Sequence, residues 1–283
     1  MIRIIVDTAS DILRDEAQAA GFDLIKIPVQ FKDGEFPENS REDIRAFYEK
    51  LEHSEDFPST SQPNFGEMVA KFEEVKAAGD QAVYLTLSSG ISSTYESALK
   101  AKEIVAYDGI RVVDSLNGIC SQALLAYIAL DLVGQGRSLD EVVEEIERMI
   151  PYTHVLVNVD SLDYLKKGGR IPPSIAFIGN ALNLKPLITF DSKGKLVSIK
   201  KDRGRKASFK SLIRLSLERV IREDYPVYVV YTSNIDLAEE LRDQLLAENP
   251  LKKVELRPIG SVVGAHLGTN CVGISCMVEK KWQ

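Results

Sequence analysis

The sequence predicts an α/β protein with two domains, the first built on a parallel sheet and the second on a mixed sheet. In the first half, short apolar runs alternate with segments of helical periodicity, an order typical of a parallel sheet covered by helices. In the second half, the apolar runs 187–190 and 196–200 flank Asp-Ser-Lys-Gly, which predicts an antiparallel hairpin. Pro151 lies between the halves, so we expect domains at 1–151 and 152–283.

The elements of the first half follow from apolar runs and from helix caps. Strands are expected at 3–6, 24–28 (continued by Val29 and Phe31), 82–87 and 110–114. The side chains that can cap the first turns of helices are Ser10, Ser40, Asn64 and Ser138. A helix over 118–133 contains the apolar run 123–130, which is far too short to cross a membrane and indicates burial.

The second half predicts strands at 155–159, 227–232, 254–258 and 272–278, with helices at 161–167, 174–184, 207–222 and 237–248. The helix at 174–184 is more apolar than an exposed helix requires. It is either an ordinary buried helix or the lining of a ligand tunnel. The segment 260–270 is rich in small residues, and we expect it to be polar and flexible enough to bring His266 to a ligand.

Composition narrows the class of protein. With 45% apolar and 27% charged residues, the 283-residue chain is typical of a soluble globular protein. A net charge of −7 argues against nucleic acid as a partner. Three cysteines without CxxC spacing argue against a disulfide framework or a zinc site and fit a reducing cytoplasm. The first ten residues indicate a strand followed by a helix cap rather than a signal peptide.

The most informative stretch is the turn after the strand at 82–87, which reads Ser-Ser-Gly-Ile-Ser-Ser-Thr over 88–94. Ligands of open α/β sheets bind outside the carboxyl ends of strands, and the start of the following helix favours an anion. Because the turn carries no charged side chain, it suits one small anionic or polar group better than a triphosphate. An ordinary helix cap with spare hydroxyl groups explains the same pattern.

Two further segments have both a structural and a functional interpretation. The loop 53–63 holds Ser59 to Gln62 between two prolines, and it is either a stiffened connection or a set of hydrogen-bonding groups. One basic cluster contains Lys166, Lys167 and Arg170, and another spans 193–210 and includes Arg203. These clusters are either solvated faces or docking faces for an acidic protein, an anionic membrane or a phosphate.

Common catalytic motifs are absent from the sequence. It contains no Walker A loop, no GxGxxG, no HExxH and no GxSxG elbow. A serine of the turn at 88–93 could pair with His266 in a hydrolase, but no acidic partner can be identified. A serine hydrolase acting on acyl esters or acyl phosphates is therefore the alternative hypothesis.

An ordered set of motifs carries a family resemblance over essentially the whole chain. The motifs are Asp-Thr-Ala-Ser-Asp at 7–11, Thr-Ser-Gln-Pro at 60–63, Leu-Ser-Ser-Gly-Ile-Ser-Ser-Thr-Tyr at 87–95, Val-Asp-Ser at 113–115, Tyr-Leu-Lys-Lys-Gly-Gly-Arg-Ile at 164–171 and Ala-His-Leu-Gly at 265–268. In this set the sequence resembles the DegV family of bacterial fatty-acid-binding proteins, also called FakB. The resemblance implies two α/β domains with a long-chain fatty acid buried in a tunnel between them.

The resemblance also implies roles for individual residues. Thr60 and Ser92 would bind the fatty acid carboxylate, assisted by His266, with Ser61 and Ser93 beside them. Ser93 departs from the family pattern, which usually has glycine there, and adds a hydroxyl group at the head-group site.

A third implication of the resemblance concerns partners. The protein would be a carrier rather than an enzyme, with palmitate, stearate or oleate as ligand and with no metal or cofactor. It would present the fatty acid to a separate fatty acid kinase, whose acyl-phosphate product enters phospholipid synthesis, and it could touch a membrane surface transiently. Arg203, Arg170 and Lys167 would lie at or near the docking face.

Overall fold

The computed structural model describes residues 1–37, 40–175 and 183–281 of the chain. Its strands are β1 Ile2–Asp7, β2 Phe22–Ile25, β3 Val29–Phe31, β4 Gly34–Glu35, β5 Ser59–Thr60, β6 Gln81–Thr86, β7 Ile110–Asp114, β8 Thr153–Asn158, β9 Leu184–Phe190, β10 Leu196–Arg203, β11 Val227–Tyr231, β12 Val254–Pro258 and β13 Val272–Met277. Its helices are α1 Arg14–Ala20, α2 Arg41–His53, α3 Phe65–Ala77, α4 Thr94–Val105, α5 Ile119–Gly134, α6 Leu139–Met149, α7 Asp163–Lys167, α8 Arg205–Leu217, α9 Ile235–Glu248 and α10 Ser261–Leu267.

The predicted fold class is confirmed: the protein is α/β with one parallel and one mixed sheet. The first sheet has the strand order β2-β1-β6-β7, and every pairing in it is parallel. The second has the order β10-β9-β8-β13-β11-β12, in which only β11 and β12 pair in parallel. The predicted hairpin is the antiparallel pair β9 and β10.

A third, small sheet was not predicted. The second predicted strand is divided, because β2 ends at Ile25 and β3 joins the antiparallel sheet β4-β3-β5 instead. Pro28, which has no backbone N–H, lies at this division. In the small sheet Val29 pairs with Thr60, so a three-residue strand fixes the backbone of the loop that carries Thr60.

Two predictions of local structure were wrong. Ser10 does not cap α1, which starts only at Arg14. Its hydroxyl instead donates to the carbonyl of Asp7 at 2.7 Å, within a short 3-10 turn that ends at Asp11, a residue in the left-handed conformation. The segment containing His266 is not flexible loop but α10, whose Gly264 packs against the ring of Tyr48.

The predicted helix at 174–184 lies mostly outside the described residues. At its ends, residues 173–175 form a turn, and Leu184 already belongs to β9.

The core between the two sheets is built around α5, as its apolar run predicted. This helix is buried on nearly all sides and contacts β1 and β6 of the parallel sheet as well as β8 and β13 of the mixed sheet. An ion pair also joins the halves of the chain, since Arg257 of β12 donates to both carboxylate oxygens of Glu16 in α1, at 2.8 and 2.7 Å. The halves therefore share one apolar core and one nearly buried ion pair.

Candidate ligand-binding site

A cavity of about 320 Å³ lies between the carboxyl end of the parallel sheet and the face of the mixed sheet. Most of its wall is apolar, with side chains that include Ile27, Leu87, Ile119, Val157, Ile188 and Leu196. At one end the wall becomes polar. The five residues predicted to bind a ligand all line the cavity, namely Thr60, Ser61, Ser92, Ser93 and His266.

The polar end is centred on a hydrogen bond between Thr60 and His266. Thr60 Oγ1 and His266 Nε2 are 2.8 Å apart, although the two residues are separated by 206 positions in the sequence. Burial, together with the nearby charge of Arg170, lowers the pKa of His266 to about 4. The imidazole is therefore neutral at pH 7, with one nitrogen that donates and one that accepts.

The turn at 88–94 supplies further hydroxyl groups to the cavity wall, from Ser92 and Ser93. Ser92 Oγ lies 2.9 Å from Thr94 Oγ1 and accepts the Thr94 backbone N–H at 3.3 Å. The Gln62 side chain donates to the Ser93 hydroxyl and accepts from Ser97 at 2.8 Å. Gln62 thus ties the Thr60 loop to this turn, a role that the sequence analysis missed. Ser93 has a negative φ of −90°, so its backbone needs no glycine.

Two carboxylates outside the cavity lining hold this turn in place. Asp7, at the end of β1, accepts the Leu87 backbone N–H at 2.7 Å, and Asp114, at the end of β7, accepts the Ser89 N–H at 3.1 Å. Burial raises the pKa of Asp7 to about 6, although hydrogen bonds to its carboxylate oppose this shift. Three adjacent parallel strands therefore converge on one turn, which explains its defined shape.

Arg170 is the cation nearest to the polar end. It follows α7, lines the cavity, and donates through Nε to the carbonyl of Ile91 at 3.2 Å and through Nη1 to that of Gly168 at 2.7 Å. The sequence predicts Arg170 on a docking face but does not predict its part in the cavity wall. The motif Lys-Lys-Gly-Gly-Arg gave no sign of this contact, which joins residues 79 positions apart.

Close backbone approaches require glycine at two places around the site. A Cβ on Gly168 would lie 2.1 Å from His266 Nδ1, so a side chain there would displace the imidazole. A Cβ on Gly90 would lie 2.3 Å from the carbonyl oxygen of Gly194, which accepts a hydrogen bond from Ser88 at 2.8 Å. The turn between β9 and β10 is therefore packed directly onto the turn at 88–94.

The other two predicted docking residues lie away from the cavity lining. Arg203 is exposed at the end of edge strand β10. Lys167 is exposed, and its ammonium group lies 3.1 Å from the centre of the Phe57 ring. Both side chains are accessible to a partner, and neither contacts the ligand-facing wall.

The geometry at His266 bears on the hydrolase alternative. The imidazole pairs with Thr60 rather than with a serine of the turn, and within the described ranges Nδ1 has no hydrogen-bond partner. An orienting acid of the kind found in Ser-His-Asp triads is thus absent from the described surroundings of His266.

The structure also bears on metal binding and on membrane insertion. In the part of the chain that the structure describes, no group of three His, Cys, Asp or Glu side chains could hold a metal ion. The cysteines Cys120, Cys271 and Cys276 are buried and free. No helix within residues 1–37, 40–175 and 183–281 is long and apolar enough to cross a bilayer.

Comparison with known proteins gives a consistent result. Residues 1–279 match the family model described as uncharacterised protein, DegV family. The protein DegV of Bacillus subtilis is 30% identical over 276 residues, which cover 96% of this chain and 98% of that protein. A DegV domain-containing protein of Streptococcus pyogenes is 37% identical over 221 residues, 77% of each chain.

Solved structures resemble the fold over nearly its full length. A structure described as a DegV lipid-binding protein from Thermotoga maritima superposes with a TM-score of 0.86 at 27% identity, covering 99% of both chains. The structure of DegV from Bacillus subtilis, described as a fatty acid binding protein, gives a TM-score of 0.85 at 28% identity and covers 98% of this chain and 99% of that one.

Proposed function

The chain belongs to the DegV family, and from this premise we propose that it binds one long-chain fatty acid, such as palmitate, stearate or oleate. The observation that carries the proposal is the form of the cavity, which is apolar along most of its wall and polar at one end. That form fits a ligand with one polar head and a long apolar chain. The fatty-acid-binding description of the similar Bacillus subtilis structure supports the same ligand class.

In this proposal the carboxylate lies between Thr60 and Ser92. If neutral His266 donates through Nε2 to Thr60 Oγ1, the Thr60 hydroxyl keeps its own proton free to donate to the carboxylate. Ser61 and Ser93 provide further hydroxyl groups, and Arg170 provides a nearby positive charge. A buried carboxylate needs such donors, because desolvation would otherwise protonate or expel it.

The acyl chain would supply most of the affinity. Burying each methylene group contributes about 0.8 kcal/mol, so a chain of about sixteen carbons gains on the order of 10 kcal/mol before the costs of association. The hydroxyl groups and the imidazole would mainly set the orientation, with the carboxylate at the polar end.

The first test is the double substitution of Thr60 and Ser92 by alanine. Each lost hydrogen bond to a charged group costs about 1.5–3 kcal/mol, so we expect retention of fatty acid to fall at least a hundredfold while the thermal midpoint stays close to that of the wild type. Ser89→Ala is the matched control, since Ser89 belongs to the same turn but not to the cavity lining.

Native mass spectrometry before and after organic extraction provides the measurement. Wild-type protein with a mass excess of one long-chain fatty acid that is lost on extraction supports the proposal. Unchanged lipid occupancy in the double variant would rule out the head-group assignment. A covalent adduct with a fluorophosphonate probe, together with no fatty acid uptake, would favour the hydrolase instead.

We further propose that the protein is not itself an enzyme and that it presents the bound fatty acid to a separate cytoplasmic kinase. Arg203, Arg170 and Lys167 are exposed and basic, as a docking face for an acidic partner requires. The same basic groups could make transient contact with an anionic membrane. Residues 1–151 and 152–283 would be the two domains that enclose the ligand, in keeping with the division of the two larger sheets.

Reversing the charge of Arg203 tests docking to the kinase separately from binding of the fatty acid. Arg203→Glu should slow phosphorylation of the bound fatty acid by a partner kinase without emptying the cavity. Lys252→Glu is the control, because Lys252 is exposed next to β12, at the opposite edge of the mixed sheet from β10. Phosphorylation of the Arg203→Glu variant at the wild-type rate would contradict the docking role.

A further inference from the structure

A second, smaller cavity lies directly beyond the first. Its volume is about 80 Å³, a quarter of the 320 Å³ of the larger cavity. The three residues Val155, Thr189 and Phe190 line both cavities and so form the partition between them.

The second cavity lies at the end away from the proposed head-group site. None of Thr60, Ser92, His266 and Arg170 borders it. Leu116 and Asn117 line the second cavity, whereas the next two residues of the chain, Gly118 and Ile119, line the first. Along β8, Val157 lines only the first cavity, Val155 lines both and Thr153 lines only the second, so an acyl chain with its carboxylate at the polar end can point its methyl end towards the partition.

The partition has two parts, a hydrogen-bonded pair of residues and the aromatic ring of Phe190. Thr189 Oγ1 donates to the carbonyl oxygen of Val155 at 2.6 Å, and both residues are only 3% exposed. Phe190, the last residue of β9, extends its ring towards the start of α5, where its Cζ lies 3.6 Å from the position of a Cβ on Gly118. The ring therefore lies at van der Waals distance from the start of α5 and forms the wall between the two cavities there.

We propose that Phe190 sets the longest acyl chain that the protein accepts, and that the second cavity becomes a subsite for the methyl end of longer chains when this ring is removed. The inference rests on the proposed fatty acid function. Removing the ring leaves the hydrogen-bonded pair of Thr189 and Val155 in place and joins the two cavities. Each additional methylene group buried there would raise affinity about fourfold.

The test compares chain lengths in one competition. Wild-type and Phe190→Ala proteins, stripped of lipid, are offered an equimolar mixture of saturated fatty acids of about 14 to 20 carbons, and bound species are counted by native mass spectrometry. We expect the ratio of the longest acid to the sixteen-carbon acid to rise at least tenfold in Phe190→Ala, equivalent to about two more buried methylene groups. Phe190→Leu, which perturbs packing less, should shift the ratio in the same direction by a smaller factor.

Ile199→Ala is the matched control. Ile199 belongs to β10 of the same hairpin, is exposed, and lines neither cavity. Its removal should leave the ratio within about twofold of the wild type.

Two results overturn the inference: Phe190→Ala loaded with fatty acid at the wild-type ratio, or the same shift in Ile199→Ala. If wild-type protein takes up no fatty acid from the mixture, the proposed function itself fails, and this outcome is distinct from an unchanged ratio.

Discussion

Acidification should destabilise the ligand-free protein through His266. The imidazole has a pKa of about 4 in the folded protein because it is buried and lies near Arg170. In the unfolded chain its pKa is about 6.5. Since the folded pKa is the lower one, the unfolded state binds the proton first, and the stability that the neutral imidazole contributes is complete above pH 6.5. That contribution is lost as the pH falls towards 4.

The magnitude follows from the difference between the two pKa values. Stability changes by about 1.4 kcal/mol per pH unit for one such group, so the loss attributable to His266 is about 2 kcal/mol at pH 5 and about 3 kcal/mol at pH 4. His266→Gln keeps a neutral side chain that can bond Thr60 but cannot titrate. Burial also lowers the pKa of His154, to about 3, so His154 likewise reduces stability as the pH falls. Because His154 is present in both proteins, its contribution cancels in the difference between them.

Urea unfolding of lipid-free wild type and His266→Gln between pH 7.5 and pH 5 measures this difference. We expect the wild type to lose about 2 kcal/mol more than the variant across that range. Saturating palmitate should reduce the difference, since a carboxylate beside the imidazole raises its pKa. Parallel loss of stability in the two ligand-free proteins would refute the argument that His266 is buried and neutral.

Two further substitutions test contacts around the site and between the two halves of the chain. Gly168→Ala should weaken fatty acid retention at least tenfold, because its Cβ would lie 2.1 Å from His266 Nδ1. Gly134→Ala is the control in the same lipid-retention assay, since a Cβ at that position meets nothing within 4 Å. Equal retention in the two variants would contradict the expected displacement of the imidazole. Arg257→Met should lower the free energy of unfolding in urea by about 1–3 kcal/mol, because it takes the cation from the partly exposed Glu16 carboxylate, which keeps the Tyr127 hydroxyl as a donor. Adding Glu16→Gln should restore most of this loss, and a double variant no more stable than Arg257→Met would argue against the ion pair as the cause.

Features that depend on neighbouring residues could be predicted from the sequence. The helix caps predicted at Ser40, Asn64 and Ser138 are confirmed, because each side chain accepts the backbone N–H of the residue three positions later. The strand at 110–114 has the predicted bounds. Ser10 shows where this reasoning fails, because its hydroxyl donates to the carbonyl of Asp7 and accepts the Ile12 N–H within the short turn before α1.

Predictions that needed contacts between distant residues were incomplete. Small residues at 260–267 suggested a flexible segment, yet they form α10 because Gly264 allows the ring of Tyr48 to approach closely. The carbonyl of Ile259, just before α10, also accepts a hydrogen bond from the Tyr48 hydroxyl at 2.9 Å. Small residues indicate flexibility when alone and close packing when a partner is present, and the local sequence does not distinguish the two.

The sequence alone determined the α/β class, the two kinds of sheet, the hydroxyl-rich turn and the family resemblance, because periodicity, caps and motifs depend on residues that are close together in the sequence. Only the tertiary structure decided that Thr60 meets His266 across 206 positions, that Arg170 enters the cavity wall and that Phe190 lies in the wall shared by the two cavities. These arrangements depend on strand register and on the packing of two sheets against α5, which no local pattern encodes.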